Sequence, residues 1–284
     1  MKTINLPQGE TLPSIGLGTW RMGESARSRG AEVAALRRAI EIGYRVFDSA
    51  EMYGEGGAEQ VLGQALNEAL RAHAVRREEI FIVSKVYPHN ASRAGAVSAC
   101  ERSLKRLAID HIDLYLLHWP GSHPLSETVA GFEALQAGKR IRHWGVSNFD
   151  TDAMHALAAT PGGEHCASNQ VYYSLGERGP EFDLLPWQRA RGMPLMAYCP
   201  IDQGELARDA GLRGIAGRLG ATASQVALAW LMAQPGVMVI PKAVREGHLR
   251  ENLAARDLVL TSVDIAEIDR MFPAPRRKSA LATR

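Results

Sequence analysis

Apolar positions along this chain fall into two rhythms that take turns. Short, nearly continuous apolar runs such as Ile80-Phe81-Ile82-Val83, Ile112-Asp113-Leu114-Tyr115-Leu116-Leu117 and Leu195-Met196-Ala197-Tyr198 have the length and residue content of buried strands. Between them lie longer stretches with apolar residues three and four apart, for example Val33, Leu36 and Ile40, or Val61, Leu62, Leu66 and Leu70. That spacing places them on one face of a helix. Gly43, Gly138 and Gly192 close helical stretches, and Thr222 precedes one as a candidate N-cap. In order, strands centre near residues 15, 46, 82, 114, 143, 168, 196 and 238. Helices are expected at 30–43, 58–74, 94–107, 126–137, 151–159, 182–191, 222–233 and 247–255. Ahead of this series, residues 2–14 read as a hairpin around Pro7-Gln8-Gly9-Glu10; behind it come an extra helix, 262–271, and a polar tail from Pro273. Eight strands, each followed by a helix and with no linker composition between them, predict an α/β fold. It is a single (β/α)8 TIM barrel with an N-terminal β-hairpin and an extra C-terminal helix and tail, one domain over 1–284.

Composition narrows this picture without redirecting it. With 284 residues, 46% apolar and 23% charged, the chain can bury a large core. A net charge of +2 points to neither nucleic acid nor a membrane surface. No run approaches the ~20 apolar residues of a membrane span, and Met1 to Pro7 lacks the apolar stretch of a leader. Cys100, Cys166 and Cys199 are scattered, which suits a reducing compartment. A cytoplasmic monomer acting on a small molecule is the expectation.

The polar residues that end the strands carry the chemistry. In a barrel of this type the C-terminal strand ends form one rim, where reacting groups are placed. Here those ends are Thr19-Trp20, Asp48 with Tyr53 beyond it, Lys85, His118, Ser147-Asn148, Asn169-Gln170, Tyr198 and Lys242. Asp48, Tyr53, Lys85 and His118 come from consecutive strands and should converge. A phenol has an ordinary pKa of ~10 and is a weak acid at neutral pH. An ammonium beside it favours the phenolate and eases proton donation. Lys85 fits that role, with Asp48 holding it charged and His118 orienting a carbonyl oxygen. Taken singly each has a plainer reading: a solvated lysine, an acid bonding loop amides, a packed histidine. Their joint occurrence at consecutive strand ends argues for the active set.

These segments resemble the aldo-keto reductases over essentially the whole length. The matching stretches are Gly16-Leu17-Gly18-Thr19-Trp20, Asp48-Ser49-Ala50-Glu51-Met52-Tyr53-Gly54, Ser84-Lys85-Val86, Leu116-Leu117-His118-Trp119-Pro120, Gly145-Val146-Ser147-Asn148-Phe149, Asn169-Gln170-Val171, Ala197-Tyr198 and Ile240-Pro241-Lys242. The resemblance implies NADPH-dependent reduction of carbonyls, with Tyr53 as general acid, Asp48 and Lys85 tuning it and His118 orienting the substrate. It implies that the nucleotide lies extended across the barrel mouth. Gly18, Thr19, Trp20 and Asp48 then approach it, Ser147, Asn148 and Gln170 hold the carboxamide, and Tyr198 stacks under the ring. Pro200, Ile201 and Gln203 line the pyrophosphate. Lys242, Ala243, Arg245 and His248 surround the 2′-phosphate, and Glu251 and Asn252 the adenine. Trp20, Tyr53, Tyr87, His118, Trp119 and Asn148 line the substrate pocket.

Some positions depart from the family pattern. Ala243 stands where a serine is usual, and His248 where an arginine is common, with Arg245 able to supply the charge. NADPH remains the expected cofactor over NADH. Asp202 stands where a small residue is usual beside the pyrophosphate, and the sequence offers no reason for an acid there. Glu51-Met52-Tyr53 and Lys85-Val86-Tyr87-Pro88 resemble a bacterial branch that reduces methylglyoxal and other small aldehydes.

Three other readings compete with this one. A Rossmann dehydrogenase would need a third glycine after Gly16 and Gly18, where Arg21 stands. A metal hydrolase would need clustered histidines at strand ends, and only His118 is so placed. A nucleotide-binding, redox-sensing subunit with little turnover is the remaining alternative. The basic run Arg276-Arg277-Lys278 reads as a solvated end.

Overall fold

The structure is a computed structural model and describes residues 2–284. Met1, first residue of the N-terminus expected to lack a leader, lies outside them. A hairpin opens the chain, β1 (Thr3–Asn5) pairing antiparallel with β2 (Thr11–Pro13). Its apolar side chains Ile4, Leu6 and Leu12 pack against Val46, Phe81, Leu114 and Met238 of the barrel interior, so the hairpin covers one end of that core.

Eight strands follow: β3 (Leu17–Gly18), β4 (Val46–Asp48), β5 (Phe81–Val86), β6 (Ile112–Leu117), β7 (Ile141–Ser147), β8 (Asn169–Tyr172), β9 (Leu195–Tyr198) and β10 (Val237–Val239). They lie side by side in chain order, all parallel. A parallel bridge between Ile15 and Val239 joins the last strand to the first, with Gly16 N–H donating to the Val239 carbonyl at 2.9 Å. The sheet therefore curls round into a barrel. A strictly sequential, closing order is not the doubly wound order of a Rossmann sheet, and that rival is excluded.

The helices are α1 (Ala26–Ile42), α2 (Gly57–Arg71), α3 (Arg93–Leu107), α4 (Leu125–Ala137), α5 (Thr151–Ala158), α6 (Leu184–Arg189), α7 (Ala210–Leu219), α8 (Ala223–Ala233), α9 (Glu246–Ala254) and α10 (Ser262–Met271). Local chemistry sets their ends. Ser25 caps α1 and Gly43 ends it in the left-handed region, φ 109°. Thr222 and Gln225 form a reciprocal capping box at α8, and Thr261 and Asp264 do the same at α10.

One helix differs from the sequence expectation. α7 lies in the connection between β9 and α8, where no helix was expected. Gly211, Gly214 and Gly217 weaken its intrinsic propensity by roughly 1 kcal/mol each. It forms because Asp209 caps Leu212 N–H at 2.8 Å and because Leu212, Ile215 and Ala216 are buried. Tertiary packing overrides propensity there. The basic run Arg276-Arg277-Lys278 is exposed, as expected of a solvated end, with one surface contact. Lys278 bridges Asp152 and Asp183 at 3.0 and 3.2 Å, tying the tail to α5 and the start of α6. Among the described residues no helix is long and apolar enough to cross a membrane.

Helix α2 approaches the backbone at the end of α3 closely at Gly63, where an added Cβ would meet the Leu107 carbonyl oxygen at 2.5 Å. Replacing a mid-helix glycine by alanine ordinarily stabilises by about 1 kcal/mol. Here the backbone clash should reverse the sign: Gly63→Ala is expected to destabilise by about 2 kcal/mol, measured by urea denaturation.

Candidate active site

Lys85 leaves β5 pointing into the barrel and is 0% exposed. Its Nζ lies 2.8 Å from both Asp48 carboxylate oxygens, 2.8 Å from the Ser49 carbonyl and 3.3 Å from the Tyr53 hydroxyl. An ammonium has three protons to donate. Carboxylate, carbonyl and phenol oxygen account for all three. Tyr53 accepts from Lys85, so its own single proton is left to point elsewhere.

The neighbouring backbone is fastened as tightly. The Thr19 N–H and hydroxyl both donate to the Asp48 carbonyl at 2.9 Å. Ser49 N–H bonds the Val83 carbonyl and Glu51 N–H the Lys85 carbonyl, at 2.8 and 3.2 Å. These bonds curl residues 48–53 back over the end of β5, which brings Tyr53 to Lys85. The Glu51 carboxylate strengthens this clasp by accepting from Tyr87 N–H at 2.7 Å. Past Tyr53 the chain turns through Gly56-Gly57 against the loop after β3. A Cβ at Gly57 would sit 2.3 Å from the Gly23 carbonyl oxygen, so only glycine admits this approach.

Electrostatics follow from burial. Burial lifts the Tyr53 phenol well above its ordinary value of 10.0, and the Asp48 charge adds to the shift. The expected net lowering of the phenol's pKa is thereby corrected: in the site as it stands desolvation outweighs the favour that Lys85 gives the phenolate, and Tyr53 keeps its proton. Burial lowers Lys85 from 10.5, opposed by the Asp48 charge and hydrogen bond. The four oxygens around Nζ at 2.8–3.3 Å favour the charged form.

His118 follows β6, its N–H bonding the Val86 carbonyl at 3.0 Å. Its ring meets Tyr53 edge-on at 5.7 Å and Trp119 at 4.8 Å. Burial pushes its pKa well below 6.5, and Lys85 pushes the same way. The imidazole is therefore neutral at neutral pH, with one N–H to donate.

These groups open into a cavity of about 1100 Å³ across the C-terminal mouth of the barrel. Asp48, Tyr53, His118, Trp20, Trp119 and Asn148 line one end, while Lys85 lies just behind it. Ser147, Gln170 and Tyr198 line the middle. One face of Tyr198 is taken by Tyr172, whose ring lies 5.8 Å away and near-parallel at 17°. Gly18, Pro200, Ile201 and Gln203 border the path to the far end. There Lys242, Arg245, His248, Glu251 and Asn252 gather, Arg245 reaching His248 at 3.1 Å. Besides Lys85, three expected residues do not reach the cavity. Thr19 and Ala243 are buried behind its wall. Tyr87 sits one layer back, edge-on to Trp119 at 5.7 Å.

The family model of the Aldo/keto reductase family matches residues 14–272. The chain belongs to the aldo/keto reductases. It is 48% identical over 285 residues to "Methylglyoxal reductase YeaE" of Escherichia coli (strain K12), covering 99% of this chain and 98% of that one. An aldo-keto reductase from Klebsiella pneumoniae, solved in complex with NADPH, superposes with a TM-score of 0.94 at 47% identity, covering 99% of each chain. An aldo/keto reductase from the same organism, solved with NADP and acetate, gives 0.94 at 48% identity, again with 99% of both chains covered.

The reductase's cavity also has walls that sequence reasoning missed. Arg21 lines it with its guanidinium 4.9 Å over Trp20, and Arg208, Ser224 and Arg284 line it as well. Arg21 carried a signal, since it directly follows a strand-end residue. Arg208 and Arg284 carried none, because their chain neighbours are remote from any strand end. Asp202, for which the sequence offered no reason, does not line the cavity. It accepts from the Tyr172 hydroxyl at 2.7 Å.

The depressed His118 pKa has a signed consequence. Unfolded, the imidazole takes a proton below about pH 6.5; folded, it resists until the pH is lower. Acidification therefore favours the unfolded chain. Stability should fall below pH 6.5 with a contribution of up to ~1.4 kcal/mol per pH unit from this group, and His118→Gln should remove that part. Denaturation midpoints across the range and ring-nitrogen NMR, with His118 neutral at pH 6, check this.

Proposed function

We propose that this reductase uses NADPH to reduce small aldehydes and ketones, methylglyoxal among them, with Tyr53 as the general acid. The observation that carries the reading is the hydrogen bond from the buried Lys85 ammonium to the Tyr53 oxygen. It leaves the phenol proton available to a carbonyl oxygen in the cavity beside it. The similarity to a protein named as a methylglyoxal reductase supports the substrate class.

The cavity's chemistry fits the nucleotide. A cationic end at Lys242, Arg245 and His248 suits a 2′-phosphate. A tyrosine face open in the middle suits a flat ring, and Ser147, Asn148 and Gln170 surround that position with amide and hydroxyl groups. Asn148 already bonds the His118 carbonyl at 3.0 Å and accepts from Tyr198 at 2.9 Å, so its orientation is preset. Gln170 donates to Asp48 at 2.8 Å and links the middle of the cavity to the acid pair. Pro200, Ile201 and Gln203 are assigned to the pyrophosphate, and Glu251 and Asn252 to the adenine.

NADPH supplies the hydride when bound. The residues do the rest. Neutral His118 donates a hydrogen bond to the carbonyl oxygen and fixes its direction. Trp20 and Trp119 exclude water from the carbonyl carbon. As negative charge builds on the oxygen, Tyr53 gives up its proton, completing the alcohol, and Lys85 stabilises the phenolate left behind. Asp48 keeps Lys85 cationic through that step. Solvent then returns a proton to Tyr53.

Purified protein should consume NADPH absorbance on addition of methylglyoxal; a redox-sensing subunit would bind NADPH, quench tryptophan fluorescence and leave the absorbance constant. Tyr53→Phe should lower kcat by roughly a thousandfold while leaving the NADPH dissociation constant nearly unchanged, and wild-type turnover in that variant would overturn the acid assignment. Lys242→Met should weaken NADPH by about 2 kcal/mol and NADH far less, read by fluorescence titration with each nucleotide.

A further inference from the structure

Behind the reacting set, on the outer face of the sheet, a second ion pair is buried. Lys85 points into the barrel, so its neighbour Ser84 on β5 points the other way, toward the helices. There the Ser84 hydroxyl donates to Glu59 Oε1 at 2.5 Å. Glu59 stands in the first turn of α2 and its side chain is fully buried. Its Oε2 accepts from Arg106 Nε of α3 at 2.6 Å, and Arg106 also donates to the Ser103 hydroxyl at 3.1 Å. One carboxylate thus joins α2, α3 and β5.

Packing alone does not call for it. Ala58, Val61 and Leu62 of α2 are already buried and seat the helix. An apolar side chain at position 59 would avoid desolvating an ion pair, from which stability gains little. What the pair adds is a fixed place for the points it touches, and both adjoin the reacting set. Ser84 directly precedes Lys85. On the other side, the Arg106 side chain lies against Gly56, where an added Cβ would meet its Cδ and Nε at 2.5 Å. Gly56 belongs to the turn that leads from Tyr53 into α2, and Gly54, Glu55 and Gly56 pass through it with φ of 57°, 52° and 89°. The main-chain bonds recorded for Glu55 and Gly57 close on Met52, Tyr53 and Gly54, within the turn itself. Outside it, the turn rests on the Gly23 backbone and on Arg106. The Tyr53 contact, at 3.3 Å, is the longest around the Lys85 amine, so a small shift of this turn weakens it first.

One turn earlier on α3, Arg102 approaches Glu51 at 3.6 Å, but it is half exposed. Glu51 already accepts from Tyr87 N–H and from Asn90. A pair of that kind contributes little, which singles out Arg106.

We propose that Arg106 and Glu59 are positioning residues that keep the Tyr53 hydroxyl on the Lys85 ammonium, acting through Ser84 on one side and the Gly56 turn on the other. The inference rests on Tyr53 being the general acid, as proposed above.

The test is single-turnover reduction of methylglyoxal by the full-length protein saturated with NADPH. Arg106→Met should slow it roughly thirtyfold, within the hundredfold that a misplacement of about 1 Å can cost. The NADPH dissociation constant should stay within about twofold, because neither residue borders the cavity. Arg106→Lys, which keeps a cation for Glu59, should recover most of the rate. Arg102→Met should remain within about threefold of wild type. In a Tyr53→Phe background, Arg106→Met should slow the residual reaction no further, since the group it positions is gone. Ser84→Ala leaves the ion pair whole and keeps the question answerable if Arg106→Met does not fold: it should lose about fivefold, and again nothing in Tyr53→Phe. A wild-type rate in folded Arg106→Met, an equal loss in Arg102→Met, or an undiminished loss in the Tyr53→Phe background would overturn the positioning role while leaving the reductase reading intact. A wild-type rate in Tyr53→Phe itself would overturn the acid assignment and this inference with it.

Discussion

A charge pair sealed from water is the constraint on which the mouth of this barrel depends. Lys85 and Asp48 are almost wholly buried, and neither ion would be tolerated there alone. The pair is held because every donor on the lysine is answered, by a carboxylate, a main-chain carbonyl and a phenol oxygen. Those answers come from residues 48, 49 and 53, at the end of one strand and along the loop that follows it. The loop at 48–53 must therefore curl, β5 must end beside it, and Tyr53 must stand within reach of the amine. Structural demand and chemical use coincide in the same three side chains.

The rest of the barrel serves to keep that group in place. The hairpin covers one end of the interior, and the parallel strands deliver polar ends to the other. Rigid strands hold the reacting set, whereas the nucleotide's expected path is bordered by loops, chiefly the one after β9. That loop carries backbone strain, and buried Leu206 packs it into the core. Reaction geometry thus resides on the strands of the scaffold and the nucleotide path on its loops, a division common among enzymes of this architecture.

Much of this could be read before any coordinates. Strand positions were legible because buried parallel strands are short apolar runs, and Asp48, Lys85 and His118 because each lies at or beside the end of one of those runs. Ser262–Met271 was read to the residue, and the structure shows the Thr261–Asp264 capping box that fixes its start. α7 was not legible: three glycines mask a helix that only packing of Leu212 and Ile215 creates. The phenol's pKa was misjudged because sequence shows which charges are near but not how completely water is excluded. Asp202 was opaque for a related reason. Its side chain direction depends on a left-handed backbone and on Gly176 from another loop. Tyr87 was misplaced by one layer, because strand-end position alone does not tell a wall residue from the one supporting it.

The central claim is that the Lys85 ammonium makes Tyr53 a usable acid. The most direct measurement is the pH dependence of single-turnover hydride transfer from NADPH to an aldehyde in wild type and Lys85→Met. The account predicts a rate that declines at high pH in the wild type as the phenol loses its proton. In Lys85→Met it predicts a large loss of rate, with that decline moved to higher pH because the cation favouring the phenolate is gone. A Lys85→Met variant with the wild-type rate and the wild-type pH limb would contradict it.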